Sequence, residues 1–255
     1  MTDNIDILQT GRAGPYVLFL HGIGGNHGNF QTLMLGMEGV RAIALNLPGY
    51  GDSLPLEGGL SFPALATWLS GFIETLGEPV HLVGHSIGGM VALEHTASFP
   101  EQVASLSMLG ATAAFGGRDD SFKEAFLKLR LAPLDAGQTM AEIARSAVPA
   151  TVGANASQAV KQAAIHSMSS ISEQVWRDIL NCLVTFNRRE DIASIPQRVC
   201  VISGSEDTNA PAKTLAKMAE KFQQAEYHCL EGVGHLLPLE APREISQILD
   251  KFIAR

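Results

Sequence analysis

Short apolar runs alternate with amphipathic stretches along most of this chain. Tyr16-Val17-Leu18-Phe19-Leu20 and Val199-Cys200-Val201-Ile202 are apolar without a break. Such runs predict strands buried on both faces, near 16–20, 40–45, 80–84, 103–109, 198–203 and 226–230. A further opening strand is expected near Ile5 to Gln9. Helix-period patterns fall between them, near 27–37, 61–76, 86–98, 211–222 and 242–254. Strands alternating with helices require right-handed crossovers. The predicted class is therefore α/β, a mainly parallel central sheet with helices on both faces.

The rhythm changes between Ala113 and Asp191, where no strand pattern is found. Helical patterns run from Ser121 to Leu131, Thr139 to Ala147, Asn155 to His166 and Ser170 to Phe186, punctuated by Pro133 and Pro149. The reading is a core of residues 1–112 and 192–255 with a helical insert at 113–191. Phe126, Leu127, Met140, Met168, Trp176 and Leu183 are expected inside the insert and between it and the sheet, some facing a pocket. Arg118, Arg130, Arg145, Arg177, Arg188 and Arg189 belong mostly to solvated helix faces, with a substrate carboxylate as the alternative partner for one of them.

Composition narrows the function classes. At 255 residues with 46% hydrophobic and 17% charged residues, one globular α/β domain is ordinary. A net charge of −8 argues against nucleic acid and anionic membrane as partners and leaves a small-molecule substrate. Oligomeric state is not readable. Cys182, Cys200 and Cys229 form no paired framework, and Cys200 and Cys229 are expected as buried thiols in a reducing compartment. The acidic start Met1-Thr2-Asp3-Asn4-Ile5-Asp6 lacks a signal-peptide pattern and no run spans a bilayer, so a cytoplasmic location is expected.

The chemistry centres on Gly84-His85-Ser86-Ile87-Gly88-Gly89, between the apolar run Val80-His81-Leu82-Val83 and a helical pattern. Glycines two residues either side of a serine let strand and helix approach closely and hold the hydroxyl out on a strained turn. A serine hydroxyl is a weak nucleophile and needs a base, which itself needs an orienting group. His235, in Glu231-Gly232-Val233-Gly234-His235, follows a predicted strand on a glycine-rich loop. Asp207, in Ser203-Gly204-Ser205-Glu206-Asp207, likewise follows a strand; Glu206, Asp119 and Asp120 are fallbacks. His21-Gly22-Ile23-Gly24-Gly25 follows the Tyr16 strand, and the backbone amides of Ile23 and Ile87 are candidate oxyanion donors. His21, Gly22, Gly24, His85 and Leu236 are candidate substrate contacts, although the His85 side chain is expected to point away from that of Ser86. No phosphate-loop or dinucleotide fingerprint occurs. Acyl transfer at a serine needs no metal or organic cofactor, and none is expected.

Four motifs together resemble the α/β-hydrolase family over most of the chain: His21-Gly22-Ile23-Gly24, Leu47-Pro48-Gly49-Tyr50-Gly51-Asp52-Ser53, Gly84-His85-Ser86-Ile87-Gly88-Gly89, and Gly204-Ser205-Glu206-Asp207 with Gly234-His235. The resemblance implies Ser86 as nucleophile, His235 as base, Asp207 as acid, and a helical cap inserted after the sixth strand. Asn46 stands where the family usually has an aspartate, and the opening hairpin is trimmed to one strand. The expected activity is hydrolysis of a small or medium carboxylic ester. Enol-lactone or amide hydrolysis and carbon–carbon cleavage of ring-fission products are the alternatives. A lyase, a perhydrolase or a ligand-binding relative without turnover stands further off.

Overall fold

The computed structural model describes residues 5–116 and 120–255. Its seven strands are β1 (Ile7–Thr10), β2 (Tyr16–Leu20), β3 (Arg41–Leu45), β4 (Val80–His85), β5 (Val103–Leu109), β6 (Arg198–Gly204) and β7 (Ala225–Leu230). They form one sheet in the order β1-β3-β2-β4-β5-β6-β7, with β1 antiparallel to β3 and every other pair parallel. The helices are α1 (Gln31–Leu35), α2 (Phe62–Leu76), α3 (Ile87–Ser98), α4 (Asp120–Asp135), α5 (Met140–Ala147), α6 (Gln158–Ser169), α7 (Glu173–Leu183), α8 (Ala212–Ala219), α9 (Leu237–Glu240) and α10 (Pro242–Ile253).

Strand periodicity divides the core. Leu18 and Leu20 face one side with α2, α3 and α8, while Val17 and Phe19 face the other with α1 and α10. Both faces are therefore covered, which is why these strands read as continuous apolar runs. Local chemistry sets the helix ends. Ser61 Oγ accepts the Ala64 amide at 3.3 Å to cap α2. Gly77, at φ +74°, ends that helix in the left-handed region. The helix expected over 27–37 is instead a tight turn at His27–Phe30 followed by α1. Asn26 and Asn29 cap each other reciprocally and pin that turn.

The stretch between β5 and β6 holds α4 to α7 and, among the described residues, no strand of its own. It follows the fifth strand rather than the sixth, because among the described residues a single strand precedes β2. Its two ends meet across a single bridge, Ala114 to Asn187, with the Phe115 amide donating to Phe186 and the Arg188 amide to Ala113. Arg188 anchors this neck through Nε and Nη2 bonds of 2.7 Å to the buried Glu94 carboxylate on α3. Pro133, expected to end a helix, lies inside the last turn of α4. Arg118 and Asp119 lie outside the described residues, and so does the side chain of Asp120.

Cys182 and Cys200 are buried free thiols, but Cys229 is exposed. It sits near the end of β7, the strand at the edge of the sheet. Among the described residues no helix is long and apolar enough to cross a membrane.

Candidate active site

Ser86 occupies the turn between β4 and α3 with φ +53° and ψ −122°. It is the one non-glycine residue with positive φ among the described residues, a conformation costing about 1–3 kcal/mol. The packing around it sustains that cost. A Cβ on Gly88 would run into the Leu20 carbonyl, and one on Gly84 would meet Gly88 and Gly89. Strand and helix can therefore touch only if both are glycine. The Ser86 amide donates to the Leu109 carbonyl at 2.9 Å, tying the turn to β5.

His235 and Asp207 arrive from the loops after β7 and β6. His235 Nε2 lies 3.0 Å from Ser86 Oγ, and His235 Nδ1 lies 2.7 Å from Asp207 Oδ2. Asp207 Oδ1 also accepts the amides of Asn209 and Ala210 at 2.8 and 2.9 Å. Burial alone would raise the carboxyl's pKa, but bonds and charge from His235 and those two amides hold it below the ordinary carboxylate value. An ionised carboxylate only accepts, so Nδ1 of His235 carries the proton. Nε2 is then free to accept from the serine hydroxyl.

The loop of His235 is held at several points. Glu240 on α9 accepts the amides of Gly234 and Leu236 at 3.0 and 2.9 Å, and also that of Gly153 at 2.7 Å. The His235 amide donates to the Thr151 carbonyl at 2.7 Å, and its carbonyl accepts from His85 Nε2 at 2.7 Å. His85 thus braces His235 through its backbone. Burial, then the neighbouring His235, pushes the His85 pKa down to about 3. Gly110 matters here too. At φ +55°, a Cβ there would sit 3.3 Å from Asp207 Oδ2 and 3.4 Å from His235 Nδ1, crowding their bond.

Opposite lies the loop after β2. His21 is buried, and burial lowers its pKa to about 4, so the ring is neutral. Its Nε2 accepts the Leu47 amide at 3.0 Å, which leaves Nδ1–H to donate to the Gly22 carbonyl at 2.8 Å. Tyr50 Oη donates to the Ile23 carbonyl at 2.9 Å. The Leu47–Ser53 turn therefore steadies the loop that carries the Ile23 amide. Asn46 supports that turn: its Oδ1 accepts the His27 amide at 2.7 Å and its Nδ2 donates to Asp6 at 2.6 Å. The amide of Ile87 is the first of α3, and such amides have no acceptor within their helix.

These loops open onto a cavity of about 750 Å³. Its wall includes His21, Gly22, Ile23, Gly24, His85, Ser86, His235 and Leu236, so every proposed substrate contact reaches it. Phe126, Met168, Trp176 and Leu183 line it from the insert, whereas Leu127 and Met140 pack elsewhere. Arg130 and Arg189 also line it. Arg177 and Arg188 instead pair with Asp135 and Glu94. The clamp by Glu240 and the brace by His85 were not apparent in the sequence. A glutamate five residues after a loop histidine is an ordinary helix residue until the fold turns α9 back over that loop.

The residues Cys200, Glu226 and His228 form a separate ligand-like group at the β6–β7 edge. Glu226 there is already held by His228 and Arg255.

Known proteins agree with this architecture. The model of the Alpha/beta hydrolase family matches residues 17–248. The chain is 31% identical over 120 residues to a pimeloyl-[acyl-carrier protein] methyl ester esterase of Shewanella woodyi, an overlap covering 47% of this chain and 44% of that one. It is 25% identical to the sn-1-specific diacylglycerol lipase of Mus musculus, covering 94% of this chain and 81% of the lipase. A thermophilic esterase from Thermogutta terrifontis superposes with a TM-score of 0.87 at 22% identity, covering 98% of this chain and 93% of that chain. Several curated relatives are longer, and the chain spans 32%, 44% and 65% of three of them. With 17–248 matched in order and its sheet, turn serine and late loops in the expected places, this chain belongs to the α/β hydrolase family.

Proposed function

We propose that this protein hydrolyses carboxylic esters of small or medium size through an acyl-enzyme on Ser86. The observation that carries this reading is the unbroken relay from Asp207 through His235 to Ser86 Oγ, opening on one apolar-walled cavity. Ser86 Oγ attacks the ester carbonyl carbon as His235 Nε2 takes its proton. The negative charge that develops on the carbonyl oxygen is met by the amides of Ile23 and Ile87, where the α3 dipole adds to the attraction. Asp207 holds the imidazole in the tautomer that accepts and stabilises the imidazolium. His235 then protonates the departing alcohol. A water repeats the sequence, giving up a proton to His235 and releasing the acid from Ser86.

In this reading residues 113–191 are a cap over a core of 1–112 and 192–255. The cap supplies Phe126, Met168, Trp176 and Leu183 to the acyl pocket. Water exclusion beneath it strengthens the hydrogen bonds that stabilise the transition state. Unpaired cysteines support a reducing, cytoplasmic setting.

The test is hydrolysis of 4-nitrophenyl esters from acetate to decanoate by wild type and Ser86→Ala. Turnover that disappears in the variant, with a maximum at some chain length, is the expected result. Equal turnover by both proteins would refute the assignment of Ser86.

A further inference from the structure

Ester hydrolysis accounts for Ser86 and its partners but not for the cations around them. The chain carries 26 acidic and 18 basic side chains. Yet among the described residues the cavity is lined by Arg130, Arg189, Lys213, Lys217 and Lys221 and by no Asp or Glu. Lys213 and Lys217 stand one turn apart on α8, and Lys221 follows at the same spacing just beyond its end, so they share one side.

Arg130 is the most informative of the five. It is half-buried on α4, its guanidinium carbon 5.4 Å from the centroid of the Phe126 ring. Among the described residues it has no hydrogen bond or ion pair, and burial depresses its pKa with nothing to offset it. Three other half-buried arginines meet carboxylates: Arg188 with Glu94 and Asp191, Arg177 with Asp135, and Arg41 with Glu78. Arg189 donates to the Gly116 carbonyl at 3.0 Å and meets no carboxylate among the described residues. An unpaired guanidinium against an aromatic wall has lost water and still offers a planar fork of donors. A carboxylate matches this fork with two parallel bonds.

We propose that the substrate is an ester bearing a carboxylate remote from the scissile bond, which Arg130 and Arg189 receive while the α8 lysines draw it to the mouth. This rests on the hydrolase reading of Ser86 and supplies its substrate class. The lining of the cavity then holds a reacting pole, Ser86 and His235, and a cationic pole, Arg130 on α4 and Arg189 at the neck. Ligand orientation then follows from charge as well as from shape.

Two matched pairs test the proposal, one with the carboxylate on the acyl side and one with it on the leaving side. They are mono-4-nitrophenyl suberate against 4-nitrophenyl octanoate, and 4-acetoxybenzoate against phenyl acetate. The readout is the ratio of kcat/KM, anionic over neutral, at low and high salt. In at least one pair the wild type should favour the anion by about tenfold or more, the size expected of a charged hydrogen bond. That ratio should fall towards one in Arg130→Met and at high salt, and recover partly in Arg130→Lys. If Arg130→Met does not fold, Arg130→Gln keeps a polar head and serves in its place. Ratios at or below one in both pairs, or a ratio unchanged in Arg130→Met, would overturn the proposal while leaving neutral-ester hydrolysis at Ser86 standing. If no ester is turned over, the hydrolase reading fails on its own. Calorimetry of monomethyl suberate against methyl octanoate on Ser86→Ala then decides the cationic pole: tighter binding of the anion supports it, and equal binding overturns it.

Discussion

Mild acid should loosen this protein well before its carboxylates protonate, because two buried histidines brace the site in their neutral form. Burial holds the pKa of His21 at about 4 and that of His85 at about 3. In the unfolded chain both titrate near the ordinary value of about 6.5. The unfolded state therefore binds more protons than the folded one once pH drops below about 6.5, and stability falls with pH in that window. Going from about pH 7 to about pH 5, each histidine contributes about 2 kcal/mol of lost stability, about 4 kcal/mol together. His81 and His95, whose pKa values burial also lowers, act in the same direction. Asp207 has a lowered pKa, so its contribution is lost only as pH falls below the unfolded carboxylate value, outside this window. For a chain of this size the loss corresponds to a Tm lower by about 8 °C or more. The assay is thermal melting at a series of pH values, for wild type and for His85→Gln. The variant should show a shallower fall between those pH values, by roughly half of the paired contribution. A Tm that stays level across the window, or a slope unaltered in His85→Gln, would refute the reasoning.

Other consequences can be measured separately. Asp207→Asn should fold normally yet lose about 10⁴ in kcat, because the amide favours the wrong tautomer of His235; a loss within tenfold in steady-state kinetics would contradict the relay. Gly88→Ala drives a methyl into the Leu20 carbonyl and should lower stability by about 1–3 kcal/mol or more in denaturant titration, whereas an unchanged midpoint would mean that strand and helix can part. Arg188→Met leaves the buried Glu94 carboxylate unpaired and should cost about 3–5 kcal/mol by the same titration; a neutral result would show that water reaches Glu94.

The elements that were legible in the sequence are those whose cause is local. β2 and β6 are apolar on both faces because both faces are covered, and such runs read as buried strands. The turn at Ser86 declares itself through glycines that admit no side chain. Asp207 and His235 stand out because each follows a strand on a small-residue loop, and the parallel sheet brings those strand ends to one edge. What remained hidden depends on contacts between distant segments. Glu240 clamps Gly234 and Leu236 only because α9 folds back over the loop, and its bond to Gly153 reaches across to the insert. The pairing of Arg188 with Glu94 joins residues far apart in the chain, and nothing in either neighbourhood announces the other. The expected helix over 27–37 yielded to reciprocal asparagine capping, a side-chain effect that periodicity does not register. Cys229 was misjudged because strand membership alone does not reveal an edge.

The central claim is that Ser86 is an activated nucleophile, and covalent trapping tests it most directly. Wild type is incubated with an alkyl fluorophosphonate, digested and mapped by mass spectrometry, beside His235→Ala treated in the same way. The account predicts one phosphonyl adduct on Ser86, with labelling slowed by orders of magnitude in the variant. An adduct on another residue, or none on folded wild-type protein, would contradict it.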